Sequence, residues 1–100
     1  MRGIVIDPGE SPKIVKLLNT EQELAHWIGG PVKLKPFGLV FAALIYTHCS
    51  GQALPCRHYM GQWFYGRLLL VGFRNSKITS LPPELSAQLA AQWKETEVVK

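Results

Sequence analysis

The stretch WFYGRLLLVGF, residues 63–73, has four consecutive large aliphatic side chains at its centre, at positions 68–71. A second stretch, LVFAALIYT at residues 39–47, is also almost continuously apolar. Strands that are apolar at consecutive positions are typical of sheets covered on both faces. We therefore predict two strands, over residues 39–47 and 63–73, that are buried on both faces at the centre of a sheet.

The segments outside these two stretches predict further strands joined by turns. Residues 2–6 and 13–17 are short β-branched stretches, and the turn-forming residues between them indicate a hairpin. Residues 32–35 alternate apolar and basic side chains, as in a half-exposed strand, and residues 53–55 form a brief extended stretch. Asn75 and Ser76 are predicted to turn the chain after the second long strand.

Two helices complete the predicted fold. Thr20 to Glu23 fits a capping box, in which the Glu23 side chain bonds back to the cap, and Gly29 ends this short helix. Ser80, Pro82 and Pro83 open a C-terminal helix whose apolar residues recur at every fourth position, at Leu81, Leu85, Leu89 and Trp93. We predict one α+β domain over residues 1–100, with a small, mostly antiparallel sheet of about five strands and a polar tail from about residue 95.

A strand that is buried on both faces needs other elements packed on both of those faces. Two helices hardly provide this cover for two such strands in a chain of this length. We therefore predict a partner subunit as the second cover, in a homodimer or a higher homo-oligomer, since closed two-fold assemblies are the commonest.

Charge is distributed unevenly along the chain. There are 11 lysine and arginine residues against 7 acids, a net charge of +4, and no acid lies between Glu23 and Glu84. This acid-free middle cannot supply the paired carboxylates of general acid–base catalysis or the ligands of a hard metal ion. A surface of one sign attracts anions, so the pattern predicts a non-enzymatic protein with an anionic partner.

The composition predicts a folded protein that is not inserted in a membrane. The chain is 47% hydrophobic and 18% charged, which suits a packed core. Its longest apolar stretch, at residues 38–46, is far shorter than the roughly 20 residues of a membrane-spanning helix. No targeting segment is visible at the amino terminus, so we expect a cytoplasmic location.

One segment combines aromatic rings with arginine. Residues 57–67 read RHYMGQWFYGR. Aromatic rings stack on bases and arginine matches phosphate oxygens, so this segment predicts a site for a nucleotide-like anion. We expect no nearby acid to neutralise its two arginines. The candidate ligand-binding residues are Arg57, His58, Tyr59, Trp63, Tyr65 and Arg67, with Lys33 and Lys35 as an extension of the basic surface.

Each of these groups also has a purely structural interpretation. Trp63, Tyr65 and Leu69 are alternate residues that could pack on one face of a strand. Lys33 and Lys35 share a strand face, and lysine commonly protects an exposed sheet edge from aggregation. The order of the strands decides between these interpretations, and it is not evident from the sequence.

Two cysteines and two histidines flank one predicted turn: His48, Cys49, Cys56 and His58. These residue types bind zinc, but six residues between the cysteines is an unusual spacing for a zinc site. The alternative is a pair of reduced, partly buried cysteines. A cysteine–histidine nucleophile would need an orienting third group, and the middle of the chain has no carboxylate for that role. We expect no metal and no other cofactor, although the sequence leaves metal binding by this cluster open.

Several landmarks keep a characteristic order and spacing over roughly residues 1–90. They are the opening strand, Pro8-Gly9, Pro12, Asn19-Thr20, Leu24, Ile28-Gly29-Gly30, Gly51, Leu54-Pro55, Gly66, Leu69-Leu70-Val71-Gly72, Thr79-Ser80-Leu81 and Glu84. This pattern resembles an uncharacterised family of bacteriophages and conjugative elements, the domain of unknown function numbered three-eight-four-six. The resemblance implies a compact fold and a mobile-element origin, and it implies no reaction. Arg57-His58 stands where that family usually has an Asn-Arg pair, so a site there would be specialised.

These observations together predict a non-enzymatic phage or mobile-element protein in the host cytoplasm. It would bind a phosphorylated nucleotide, in the most specific version a bacterial defence signal that it sequesters. One alternative is a nucleic-acid-binding accessory protein that uses the same cations. Another is a protein-interaction module that inhibits a host factor through exposed aromatic residues.

Overall fold

The computed structural model describes residues 1–37, 41–47, 55–59 and 62–95, with the backbone alone for residues 55–59, 94 and 95. The elements in chain order are β1 (Arg2–Ile6), β2 (Lys13–Lys16), α1 (Glu21–Ile28), β3 (Lys33–Pro36), β4 (Ala42–Tyr46), β5 (Pro55–Tyr59), β6 (Gln62–Tyr65), β7 (Leu68–Arg74), β8 (Lys77–Thr79) and α2 (Pro83–Glu95). The predicted α+β class is confirmed, with a short helix after the first hairpin and a longer C-terminal helix.

The main sheet has the strand order β2-β1-β7-β4-β3, and β8 pairs with β7. All of its strand pairs are antiparallel. Leu70 lies opposite Ile4 on one side and Leu44 on the other, so β7 is the central strand. Residues 42–45 and 68–71 are all fully buried, which confirms that the two apolar stretches lie at the centre of the sheet.

The prediction of one continuous strand over residues 63–73 is wrong. Gly66 has a φ of 74°, in the left-handed region that favours glycine, and it separates β6 from β7. β6 pairs with β5 in a two-stranded sheet of its own, the β5–β6 hairpin, whereas β7 enters the main sheet. The same apolar stretch therefore contributes to two different sheets.

Other strand boundaries also differ from the predicted ones. β4 begins at Ala42, and the predicted strand residues 39 and 40 lie outside the described part of the chain, as do residues 53 and 54. The turn at Asn75 and Ser76 is confirmed, with φ values of 53° and 62°. Two adjacent residues with left-handed φ values form the type of tight turn that suits the twist of a hairpin. The turn leads into β8, a strand that the sequence did not predict.

The chain itself covers both faces of the main sheet. On the α1 face, Leu24 and Ile28 of α1 pack against residues of the strands, namely Val5, Ile45, Leu69 and Val71. On the α2 face, Leu89 and Trp93 of α2 and Phe64 of the β5–β6 hairpin pack against Ile4, Ile6, Leu44 and Leu70. The second cover that was expected from a partner subunit is therefore supplied by the chain itself. On the α2 face Phe64 of the hairpin adds to the cover that α2 provides. The contribution of the hairpin was missed because its strand β6 was predicted as part of a central strand.

The α1 helix begins and ends as the sequence predicts. The Thr20 hydroxyl accepts a hydrogen bond from the Glu23 backbone N–H at 3.1 Å, and Gly29 has a φ of 77° at the other end. The Glu23 carboxylate differs from the predicted capping box, because it accepts a hydrogen bond from the indole N–H of Trp27 at 3.0 Å. The cap is therefore formed by Thr20, and Glu23 instead supports a ring one turn further along the helix.

The α2 helix docks through the predicted stripe. Leu81, Leu89 and Trp93 are all at most 3% exposed, and Leu85 packs beside them. The ring of Phe37 lies 6.2 Å from that of Trp93. No described helix is long and apolar enough to cross a membrane.

Candidate anion-binding site

The β5–β6 hairpin carries five of the predicted ligand-binding residues. In its register, His58 lies opposite Trp63 and Arg57 lies opposite Phe64, and the register shifts between Pro55 and Arg57. The side chains of Arg57, His58 and Tyr59 lie outside the described part of the chain. Their roles as ligand contacts therefore stay predictions.

Strand β6 alternates between buried and exposed side chains. Phe64 is 2% exposed in the core of the α2 face, whereas Trp63 is 47% exposed and Tyr65 is half-buried. Because side chains alternate along a strand, Trp63 and Tyr65 lie on the outer face of the hairpin. The residue that anchors the hairpin is therefore Phe64, whose ring meets Tyr46 edge-on at a centroid distance of 5.0 Å. Trp63 presents nearly half of its surface to solvent, as a stacking platform requires.

The two candidate lysines lie on β3, an outer strand of the main sheet. Lys33 is opposite Tyr46 and Lys35 is opposite Leu44, so both lie on the α2 face. Lys33 is exposed and Lys35 is half-buried. Because Tyr46 also contacts Phe64, the strand order brings this lysine edge to the same side of the sheet as the β5–β6 hairpin. Neither lysine forms an ion pair with a side chain in the described ranges.

Arg67 has different neighbours from the other candidates. Its Nε donates to Asp7 Oδ1 at 2.7 Å and its Nη2 donates to Asp7 Oδ2 at 3.4 Å, a two-pronged ion pair. The expectation that no acid neutralises Arg67 is therefore wrong. Asp7 follows β1, 60 residues earlier in the chain, and the pairing of Ile6 with Leu68 brings the two side chains together.

An aromatic ring extends this ion pair toward α1. The Arg67 guanidinium lies 5.7 Å from the centre of the Trp27 ring, within the range of a cation–π contact. Trp27 in turn donates to Glu23. These contacts connect the β1–β2 turn, the start of β7 and α1 on the α1 face, so they support a structural role for Arg67. The contacts of Arg67 with Asp7 and Trp27 were not predicted, because both residues lie far from Arg67 in the sequence.

Loss of the Arg67–Asp7 pair is expected to reduce stability. Arg67→Ala and Asp7→Ala should each lower the free energy of unfolding by about 1 kcal/mol, because the side chains are 40% and 25% exposed and partly screened. The double variant should lose clearly less than the sum of the two losses. Urea denaturation measures all three values. Lys13→Ala is the matched control, because its pair with Glu10 is 65% and 54% exposed and should contribute little. Strictly additive losses would show that the pair is not coupled.

The remaining predicted groups are placed as follows. Arg74, a cation of the acid-free middle, lies 4.3 Å above the ring of the exposed Phe41. His48 and Cys49 lie outside the described residues, as do the side chains of Cys56 and His58. The expectation that this cluster binds no metal therefore stays a prediction. Among the described side chains, no three histidine, cysteine or acidic residues come together as metal ligands.

Comparison with known proteins adds no relative. No protein-family model, curated protein or solved structure matches this chain. The resemblance to the mobile-element family therefore stays a prediction from the sequence.

Proposed function

We propose that this protein is a non-enzymatic binding protein for a phosphorylated nucleotide. The phosphate is placed at Lys33 and Lys35, and the base stacks on Trp63 or Tyr65. The observation that carries the proposal is that the lysine edge and the β5–β6 hairpin lie on the same face of the main sheet, where Tyr46, opposite Lys33, contacts Phe64 of the hairpin. Cations and an exposed indole ring on one side of a molecule are the elements of nucleotide and single-strand recognition.

The charges of the described residues favour these lysines over Arg67. Arg67 already binds a carboxylate, so a phosphate there would have to displace Asp7. Lys33 and Lys35 have no such competitor among the described side chains. Arg57, His58 and Tyr59 belong to the same hairpin, and we propose them as further ligand contacts.

The biological version of the proposal follows from the sequence resemblance. A phage or mobile-element protein that binds a nucleotide without transforming it acts by lowering the free concentration of that nucleotide. We propose that the ligand is a signal of bacterial defence and that sequestration takes place in the host cytoplasm. A homo-oligomer is part of this proposal, although the sheet does not need a partner as cover.

Calorimetric titration with mono-, di- and cyclic nucleotides tests the proposal. Charge-assisted contacts contribute roughly 1.5–3 kcal/mol each, so Lys33→Ala/Lys35→Ala should weaken the bound nucleotide by at least about tenfold. The matched control is Lys13→Ala/Lys77→Ala, which removes two exposed lysines from β2 and β8. It should change the affinity by less than about twofold, and so should Arg67→Ala. Equal weakening by both double variants would contradict the site.

The same titration at low and high salt separates the proposal from its alternatives. A nucleic-acid-binding protein makes many phosphate contacts, so its affinity for an oligonucleotide should fall steeply as salt rises. A nucleotide site should depend less on salt and should raise the melting temperature with one class of ligand. If the wild type binds neither nucleotides nor oligonucleotides, a protein-interaction module that inhibits a host factor becomes the better explanation.

A further inference from the structure

Two cationic side chains lie opposite each other at the β2 edge of the main sheet. Arg2 of β1 lies directly opposite Lys16 of β2. The neighbouring residues Met1 and Leu17 exchange two backbone hydrogen bonds, of 2.7 and 2.9 Å. In an antiparallel ladder the next pair is then of the non-hydrogen-bonded kind, in which the side chains are closest. Like charges directly opposite each other destabilise a sheet, so this arrangement calls for an explanation.

Arg2 is held in place by the segment that leads into α2. Its backbone N–H donates to the Ser80 hydroxyl at 2.7 Å, and its carbonyl accepts from the Leu81 N–H at 2.9 Å. Its guanidinium Nη1 donates to the Leu81 carbonyl at 3.2 Å. The guanidinium has five N–H donors, so one bond to Leu81 leaves most of them for another acceptor. The Ser80 hydroxyl accepts from Arg2 and therefore keeps its own hydrogen to donate.

These groups line a groove of about 460 Å³, which we call the Arg2–Lys16 groove. Its lining consists of Met1, Arg2, Ile14, Val15, Lys16 and Ser80. It therefore combines two cationic side chains and a hydroxyl with an apolar wall that includes Ile14, which is 55% exposed. Among the described residues no acid lines it, and Glu84 in the first turn of α2 is not part of the lining.

We infer that the Arg2–Lys16 groove binds the phosphate group of a small molecule between the two cations. An anion there would relieve the repulsion between Arg2 and Lys16 and would accept hydrogen bonds from Arg2 and Ser80. Ile14 would contact the organic part of the molecule. β2 and β3 are the outer strands at opposite edges of the main sheet. This site is therefore separate from the proposed nucleotide site and does not rest on it.

Protection of an exposed edge is the competing explanation for a lysine on β2. That role explains Lys13 and Lys16 equally, because both are exposed and lie on the same strand. It does not explain Arg2, which is part of an inner strand and is oriented by contacts with Ser80 and Leu81. Lys13 differs from Lys16 in that it pairs with Glu10 at 3.3 Å. The two lysines therefore form a matched pair for an experiment.

The experiment is an NMR titration of the whole ¹⁵N-labelled chain with inorganic phosphate and then with adenosine monophosphate. The backbone amide signals of Arg2, Lys16 and Ser80 should shift and saturate together. Lys16→Gln should weaken this binding by about tenfold, whereas Lys13→Gln should change it by less than about twofold. In phosphate-free buffer Lys16→Gln should melt no lower than the wild type, because it removes the like-charge pair. Tighter binding of the nucleotide than of phosphate would identify an organic phosphate as the ligand, and equal binding would identify phosphate itself.

Three results would overturn the inference. One is the absence of saturable shifts at these amides with millimolar phosphate. Another is equal weakening by Lys13→Gln and Lys16→Gln, which would indicate a general charge effect. The last is loss of the same shifts in Lys33→Ala/Lys35→Ala, because a separate site should not respond to lysines at the opposite edge of the sheet. If Lys33→Ala/Lys35→Ala binds nucleotides as tightly as the wild type, the nucleotide site fails, while the shifts that inorganic phosphate causes at this groove stay unchanged. The two proposals therefore fail independently.

Discussion

Trp93→Ala is expected to lower the melting temperature by on the order of 15–30 °C, whereas Trp63→Ala should change it by only a few degrees. Trp93 is completely buried on α2 and packs in the core of the α2 face, whereas Trp63 is 47% exposed on β6. Removing a large buried aromatic side chain leaves a cavity and typically costs about 3–5 kcal/mol. That is a large part of the roughly 5–15 kcal/mol by which a native domain is stable.

Far-UV circular dichroism measures both melting curves, since it does not depend on tryptophan emission. The two variants make the same chemical change and differ in burial, so each controls for the other. The same pair separates stability from function, because Trp63→Ala should weaken nucleotide binding in a protein that melts almost like the wild type. Similar melting temperatures for the two variants would contradict the docking of α2 on the sheet.

Gly72→Val is expected to destabilise the protein by about 3 kcal/mol or more, because the chain crosses directly over Gly72. A Cβ atom at this position would lie 2.5 Å from the Ser80 carbonyl oxygen and 2.8 Å from that of Thr79. Both are backbone oxygens, of the last residue of β8 and of the first residue of the segment that leads into α2, so no side-chain rotation relieves the clash. The segment would have to move and would withdraw Leu81, which is 1% exposed, from the core.

Gly3→Val is the graded control for this prediction. Gly3 is also buried in the main sheet, but the nearest atom to its added Cβ is the Leu70 carbonyl oxygen at 3.1 Å. Its loss of stability in urea denaturation should therefore be clearly smaller than that of Gly72→Val. The displacement of Ser80 in Gly72→Val should also weaken phosphate at the Arg2–Lys16 groove. A larger loss for Gly3→Val would mean that the crossing of the chain over Gly72 is not as close as described.

Local patterns in the sequence were sufficient for the two helices and for the turn after β7. Thr20 and Gly29 mark the two ends of α1. The apolar residues at every fourth position from Leu81 to Trp93 predict the buried face of the α2 segment, and Asn75-Ser76 predict the turn. Each of these signals depends on residues within a few positions of one another. The same kind of reasoning placed Trp63 and Tyr65 on one strand, and it identified the lysines of β3 as one face.

The partners of charged side chains were not accessible in this way. The sequence shows an acid-free middle that includes Arg67, yet Asp7 neutralises Arg67 because β1 and β7 are neighbours in the sheet. The groove at Arg2 and Lys16 likewise depends on the arrival of Ser80, 78 residues after Arg2. Coulombic contacts act through space, so their assignment requires the order and register of the strands.

The local chemistry of this chain alone determined the class of the fold, the two helices, the apolar centre of the sheet and the excess of cations. The tertiary structure decided where the aromatic stretch divides, since the left-handed φ of Gly66 directs β6 into its own hairpin and β7 into the main sheet. That division lets Phe64 cover the α2 face, and Lys33 and Lys35 lie on the same face. The physical reason is that short-range preferences set the conformation of each segment, whereas burial and charge pairing depend on which distant segments pack together.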